Sequence, residues 1–279
     1  MSTINKCLFP VAGYGTRFLP VTKAIPKEML PILTKPLIQY GVEEAISAGM
    51  TTMAMVTSKY KQAIKHHFES HADIEASIKG TVKESLLDEV NYASKQCDFT
   101  YIEQQKMLGL GHAIYTGKPL IGNEPFAVIL PDDLCMNQGE SVLAQMLQVY
   151  QAHPDCCVAA VEVVSETEVN KYGVIQGELL TGTDNTYQVS SMVEKPEPKD
   201  APSNLAIIGR YILTPEIFEV LTNTQPDHRG EIQITDALMN LASQGKVLAY
   251  QFQGTRYDCG SVEGFVEATN AFAKSEGII

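Results

Sequence analysis

Two glycines one residue apart, Gly13 and Gly15, close a short apolar run and lead directly into Thr16 and Arg17. A buried strand that ends in bare backbone N–H groups offers phosphate a place to approach. Arg17 adds planar, bidentate contacts for phosphoryl oxygens, and Lys27 adds a compact positive charge further along the same loop. The chain has only four arginines, so one beside such a loop carries weight. The loop is not a dinucleotide fingerprint, because Phe18 stands where the third glycine would be, and it lacks the Lys-Ser/Thr of a Walker A loop. A second chemical group is the carboxylate pair Asp132-Asp133, which follows an apolar run; carboxylates at the end of a parallel strand suit a hard divalent cation. Asp258, taken alone, reads as the N-cap of a helix starting near Val262.

These groups need a scaffold, and the hydrophobic pattern supplies one. Strands are expected over 7–12, 51–58, 99–103 and 126–130, the last apolar enough to be buried on both faces. A Gly/Pro-rich loop over 13–36 and helices over 37–48, 59–69, 83–94 and about 110–117 lie between them. That alternation predicts a parallel sheet covered on both sides. After a helix over 142–153, strands crowd together over 157–164, 172–175, 187–194 and 205–213, which suggests antiparallel additions. Helices return over 215–223, 232–243 and 262–274, and residues 194–202 read as a loop at the mouth of a site. His66, His67 and His71 are expected to face solvent.

The chain has 279 residues, 44% hydrophobic and 19% charged, which excludes disorder and fibrous repeats. A formal net charge of −12 argues against a general nucleic-acid binder, so an anionic ligand must be drawn in by local positive groups. No apolar run reaches the roughly 18 residues of a membrane span, and no signal-peptide layout is visible. Six cysteines without a C-x-x-C pair, and histidines not spaced for zinc, fit a reduced, cytoplasmic protein.

Gly-Tyr-Gly-Thr-Arg-Phe-Leu-Pro-Val-Thr over 13–22, followed by Pro-Lys-Glu-Met-Leu-Pro over 26–31, resembles the signature of the sugar-1-phosphate nucleotidylyltransferases. Further stretches run in the same order as far as Gly260, so the resemblance covers nearly the whole chain. It implies that Ala12, Gly13, Gly15, Thr16 and Glu28 bind nucleotide, and that Arg17 and Lys27 serve the reacting phosphates. The segment 103–113 resembles the family's base-reading stretch, in which a glutamine pairs with the pyrimidine and a glycine five residues later gives backbone contact. That spacing selects Gln104 with Gly109 and leaves Gln105 as the competing reader; an amide can donate and accept together, as uracil requires. Glu103 stands where the family often has arginine and is assigned no role. Asp132 and Asp258 are implied as Mg²⁺ ligands, with Asp133 equally suited to capping the turn. Gly173, Glu194 and Lys195 match the sugar-phosphate half, where Glu194 would accept from glucose hydroxyls and Lys195 would face the phosphate. The stretches 204–211 and 230–237 are expected to shape the sugar pocket.

The fold implied is α/β: a Rossmann-like mixed, mainly parallel sheet flanked by helices, with a smaller antiparallel sugar-side addition. The whole chain, 1–279, would form one nucleotidyltransferase domain, with a nucleotide-binding half to about 135 and a sugar-phosphate half from about 136. Glu28, where thymidylyl-transferring relatives usually have glutamine, points to the uridylyl branch. The expected reaction is the Mg²⁺-dependent joining of UTP and glucose 1-phosphate to give UDP-glucose and pyrophosphate, by direct in-line attack. The alternatives are transfer of a thymidylyl group and a catalytically silent nucleotide-sugar-binding subunit. Small-molecule substrates, no nucleic acid, no membrane, and a homo-oligomer, dimer or tetramer, complete the expectation.

Overall fold

The computed structural model describes residues 4–279. The first half builds parallel strands. These are β1 (Lys6–Pro10), and, after a two-residue hairpin of β2 (Pro31–Ile32) and β3 (Lys35–Pro36) and helix α1 (Leu37–Ser47), β4 (Thr52–Thr57). Four short helices follow: α2 (Gln62–Phe68), α3 (Ala72–Ile78), α4 (Leu86–Val90) and α5 (Tyr92–Gln96). Then come β5 (Asp98–Glu103), α6 (Gly109–Thr116), α7 (Lys118–Ile121), β6 (Phe126–Ile129) and β7 (Asp133–Met136).

The second half begins with α8 (Val142–Ala152) and β8 (Cys157–Val163), continues through β9 (Gly173–Leu179) and β10 (Thr186–Glu194), and reaches the long β11 (Leu205–Leu213). Helices α9 (Ile217–Asn223) and α10 (Ile234–Ala242) lead to β12 (Val247–Gln251), β13 (Thr255–Asp258) and the last helix, α11 (Val262–Ser275).

Nine strands form one sheet in the order β5-β4-β1-β6-β11-β8-β12-β10-β9, so a single sheet runs across the two halves of the chain. β5, β4, β1 and β6 are parallel; the apolar runs of β1, β4 and β6 fit strands covered by helices on both faces, and β5 is the edge strand. Two apolar clusters lie on opposite faces: Phe9, Met53, Met55 and Ile129 on one, Leu8, Ala54, Val56 and Val128 on the other. The adjacent numbers show the two-residue alternation of a strand buried on both sides.

Three expectations are corrected. The added strands are not all antiparallel: β12 runs parallel to β8, and the sequence pattern missed β12, β7 and β13. The helix expected over 83–94 is two short helices meeting at Asn91, because Leu86 and Val90 stay exposed and no apolar stripe holds one longer helix to the core. His67 is half-buried rather than solvent-facing: its Nε2 meets Gln39 Oε1 at 2.9 Å and its ring packs edge-on against Phe68.

Candidate active site

The carboxyl ends of the parallel strands open onto one crevice, where open α/β sheets place their ligands. β1 delivers Ala12, Gly13, Gly15, Thr16 and Arg17; β5 delivers Gln104; the turn after β6 delivers Asp132. Gly13 has nothing within 4 Å of where a side chain would begin, so its backbone is open to a ligand. Gly15 adopts φ +67°, a conformation L side chains rarely take, and a Cβ there would press on Lys27 Cβ at 3.1 Å. Thr22 Oγ1 donates to Gly15 O at 2.8 Å and closes the loop on itself.

The charged groups meet at the centre. Lys27 Nζ donates to Asp132 Oδ2 at 2.5 Å, and Arg17 Nη1 donates to Gly260 O at 3.2 Å. Gly260 marks the convergence: a Cβ there would lie 2.9 Å from Asp258 Oδ1, 3.1 Å from Asp132 Oδ2 and 3.2 Å from Arg17 Nη1. Burial pushes the Asp132 carboxyl upward, but Lys27 beside it outweighs this and holds it below the usual range. Burial likewise disfavours the Lys27 charge, yet Asp132 and Glu28 raise its pKa overall. Asp258 is pushed up, first by burial and then by Asp133, against the pull of Arg256.

Asp132 and Asp258 therefore face one hollow with hard oxygen donors, which is the donor chemistry Mg²⁺ takes. No cluster of three or more His, Cys, Asp or Glu suited to a metal occurs among the described residues, so phosphate oxygens and water would complete the shell. Asp258 does not cap α11; Ser261 does, accepting from Gly264 N–H at 3.1 Å. Asp133 does not cap a turn either. It accepts from Gly209 N–H at 2.7 Å and pairs with Arg256.

Arg256 is the residue the sequence missed. Its guanidinium pairs with Asp133 and with Glu162 at 2.7 Å, reaches Asp258 at 3.9 Å, and lies over the Tyr172 ring at 4.9 Å. Only its place directly before Tyr257-Asp258 could have drawn attention to it. Arg210, expected near the sugar pocket, is wholly buried instead; it pairs with Glu44 and donates to the carbonyls of Leu130 and Asp133.

The end where the sugar phosphate is expected is built by β9, β10 and α10. Glu194 Oε2 accepts from Thr235 Oγ1 at 2.7 Å, and its Oε1 lies 3.2 Å from Lys195 Nζ. A Cβ on Gly173 would sit 2.9 Å from Thr235 Oγ1 and 3.2 Å from Glu194 Oε2, so the backbone there has no side chain in the way. Lys195 takes φ +45°, strained for a residue with a Cβ, and its N–H donates to Tyr172 O at 2.9 Å. A cleft of about 1010 Å³ runs from Arg17 past Tyr172, Lys195 and Arg256 to Asp258.

At the end where the base is expected, Gln104 is buried and its Nε2 lies 2.8 Å from His112 Nδ1. Gly109, at φ +90°, packs against Glu231 and Ile232, where a Cβ would be 2.9 Å from Ile232 O. Gln105 is exposed. Glu28 sits beneath the loop with both oxygens taken by Lys61, at 2.7 and 2.8 Å, rather than turned towards a base. Burial outweighs this partner and lowers the Lys61 pKa.

A family model described as nucleotidyl transferase matches residues 10–275. The chain is 56% identical over 268 residues to a UTP–glucose-1-phosphate uridylyltransferase of Pseudomonas aeruginosa, covering 96% of this chain and 95% of that protein. A crystal structure of apo UDP-glucose pyrophosphorylase superposes with a TM-score of 0.94 at 56% identity, covering 98% of this chain and 100% of the other. A UDP-glucose pyrophosphorylase complexed with UDP-glucose superposes with a TM-score of 0.89 at 54% identity, covering 98% and 100%.

Proposed function

The chain belongs to the nucleotidyl transferase family, and from that premise we infer its reaction. It is a uridylyltransferase that joins UTP and glucose 1-phosphate to give UDP-glucose and pyrophosphate. The observation that carries this is the meeting of Arg17, Lys27, Asp132 and Asp258 around Gly260, at the junction of the base end and the sugar end. No protein nucleophile is needed, because an oxygen of the sugar phosphate can attack the α-phosphorus directly. The task is to bring two anions together in line. Arg17 and the open glycine backbone would hold the pyrophosphate that leaves, and Lys27 and Lys195 would screen the reacting phosphates. Glu194, oriented by Thr235, would accept from sugar hydroxyls. Gln104 would read the base.

Mg²⁺ held by Asp132 and Asp258 would neutralise charge on the phosphate oxygens and orient them. Lys27 then has two roles: it keeps Asp132 ionised in the free enzyme, and it is free to turn to phosphate when the carboxylate is otherwise engaged. A reducing, cytoplasmic setting is supported by six free cysteines, four of them buried. A homo-oligomer, dimer or tetramer, is the proposed assembly.

Pyrophosphate release with glucose 1-phosphate and Mg²⁺, run with UTP and then with dTTP, tests the reaction. Faster turnover with UTP is expected. Equal or greater use of dTTP would move the chain to the thymidylyl branch, and no release with either would make it a silent binder.

A further inference from the structure

The Gln104 amide is held at one end by a ring nitrogen. Gln104 follows β5 directly, and its backbone N–H donates to Thr57 O at 2.8 Å, so its side chain starts from a fixed place. Its Nε2 lies 2.8 Å from Nδ1 of His112, in the first turns of α6. An amide nitrogen only donates, so Nδ1 must accept and carry no proton. The amide oxygen has no protein partner among the described residues, and it is not among their enclosed, unpaired side-chain atoms. One end of the amide is thus tied and the other is left to a ligand.

We propose that His112 is the positioning residue that makes the site choose uracil over cytosine, by holding the Gln104 nitrogen and leaving its oxygen to the base. Uracil carries a hydrogen on N3 and needs an acceptor opposite it. Cytosine has a bare N3 and needs a donor. Turning the amide by half a revolution exchanges these two, so whatever fixes the amide fixes the base. The proposal rests on the reading of Gln104 as the base reader.

The position of His112 is itself fixed from outside the base site. Gly111 N–H donates to Ile232 O at 2.8 Å, and Ile232 N–H donates to Leu108 O at 2.8 Å, so the start of α6 is pinned to the segment before α10. The close approach depends on Gly109 and Gly111, where side chains would collide with Ile232. Burial lowers the His112 pKa and so favours the neutral ring, whose Nε2–H form leaves Nδ1 able to accept from the amide. The Gly-Leu-Gly-His run therefore works as a unit: the glycines seat the helix and the histidine sets the amide.

The test compares kcat/KM for UTP and for CTP in the wild type and in His112→Leu, His112→Asn and Gln104→Ala, with melting curves on each. Leucine cannot accept a hydrogen bond; asparagine can place an amide oxygen near the position of Nδ1. His112→Leu should cut the UTP-over-CTP ratio about tenfold or more, mainly through KM for UTP, as expected when one buried partner is lost. His112→Asn should keep the ratio within about threefold, the scale of a retained hydrogen bond. If leucine fails to fold, His112→Ser, too short to reach the amide, takes its place with the same expectation. Gln104→Ala should erase the discrimination in either case. A ratio unchanged in His112→Leu but lost in Gln104→Ala overturns the role of His112 and leaves Gln104 as reader. An asparagine variant as impaired as the leucine one overturns it too, because packing would then be the cause. A ratio unchanged in Gln104→Ala overturns the reading of Gln104 itself.

Discussion

The two ends of the crevice solve recognition differently. At the expected base end the working group is one neutral side chain, a buried Gln104 amide 2.8 Å from His112 Nδ1. At the expected sugar end the working groups are charged side chains that already hold one another. Lys195 is on Glu194, Arg256 is shared among Asp133, Glu162 and Asp258, and Lys27 in the middle is on Asp132. On the proposed reading, a base arriving at the first end would find its partner already in place. On the same reading, a sugar phosphate arriving at the second would draw Lys195 and Lys27 away from their carboxylates. The contrast suggests a division of labour: a preformed neutral site suits selection between bases, and a self-paired charged site suits the arrival of a dianion in an acidic protein.

The junction should be the most sensitive point. Asp132→Asn is expected to lower Mg²⁺-dependent UDP-glucose formation by about 10³-fold, since it replaces a carboxylate oxygen with an amide nitrogen and removes the charge facing Lys27. Melting of the same preparation should show a folded protein; near-normal turnover would take Asp132 out of the metal site. Next is Arg256→Met, which leaves Asp133 and Glu162 without their cation. Loss of one partner from a buried pair costs about 3–5 kcal/mol, so melting should fall clearly. If the two ends are separate, kcat/KM for glucose 1-phosphate should drop by about 10²-fold while UTP binding changes little, the cost of one misplaced charged group. Equal losses for both substrates would erase the contrast.

The smallest effect belongs to the nucleotide half. Burial holds His67 below its ordinary pKa, so the unfolded chain binds its proton more readily. Its share of stability is present above the unfolded value of about 6.5 and is lost as pH falls through the lower folded value. His67→Gln should therefore flatten the fall in melting temperature on acidification, and an unchanged slope would show that His67 does not contribute.

What could be read in the sequence follows the same division. The glycine loop, Arg17 and Lys27 lie close together in the chain, so the scarce arginine beside the glycines could suggest a phosphate site there. β1, β4 and β6 were visible because they are apolar on both faces. The sugar end is assembled from residues far apart, Thr235 with Glu194 and Arg256 with Asp133 and Glu162, and no local pattern links them. β7 and β13 escaped notice because each has four residues and they pair only with one another. Glu28 was placed near the base by resemblance, but its burial against Lys61 could not be read without the fold.

A structure of the chain with UDP-glucose tests the central claim most directly. The account predicts uracil N3 against Gln104 Oε1 with the His112 contact kept, glucose hydroxyls on Glu194, and Lys195 moved from Glu194 to phosphate. A base seated away from Gln104, or a sugar bound with the Lys195–Glu194 pair intact, would contradict it.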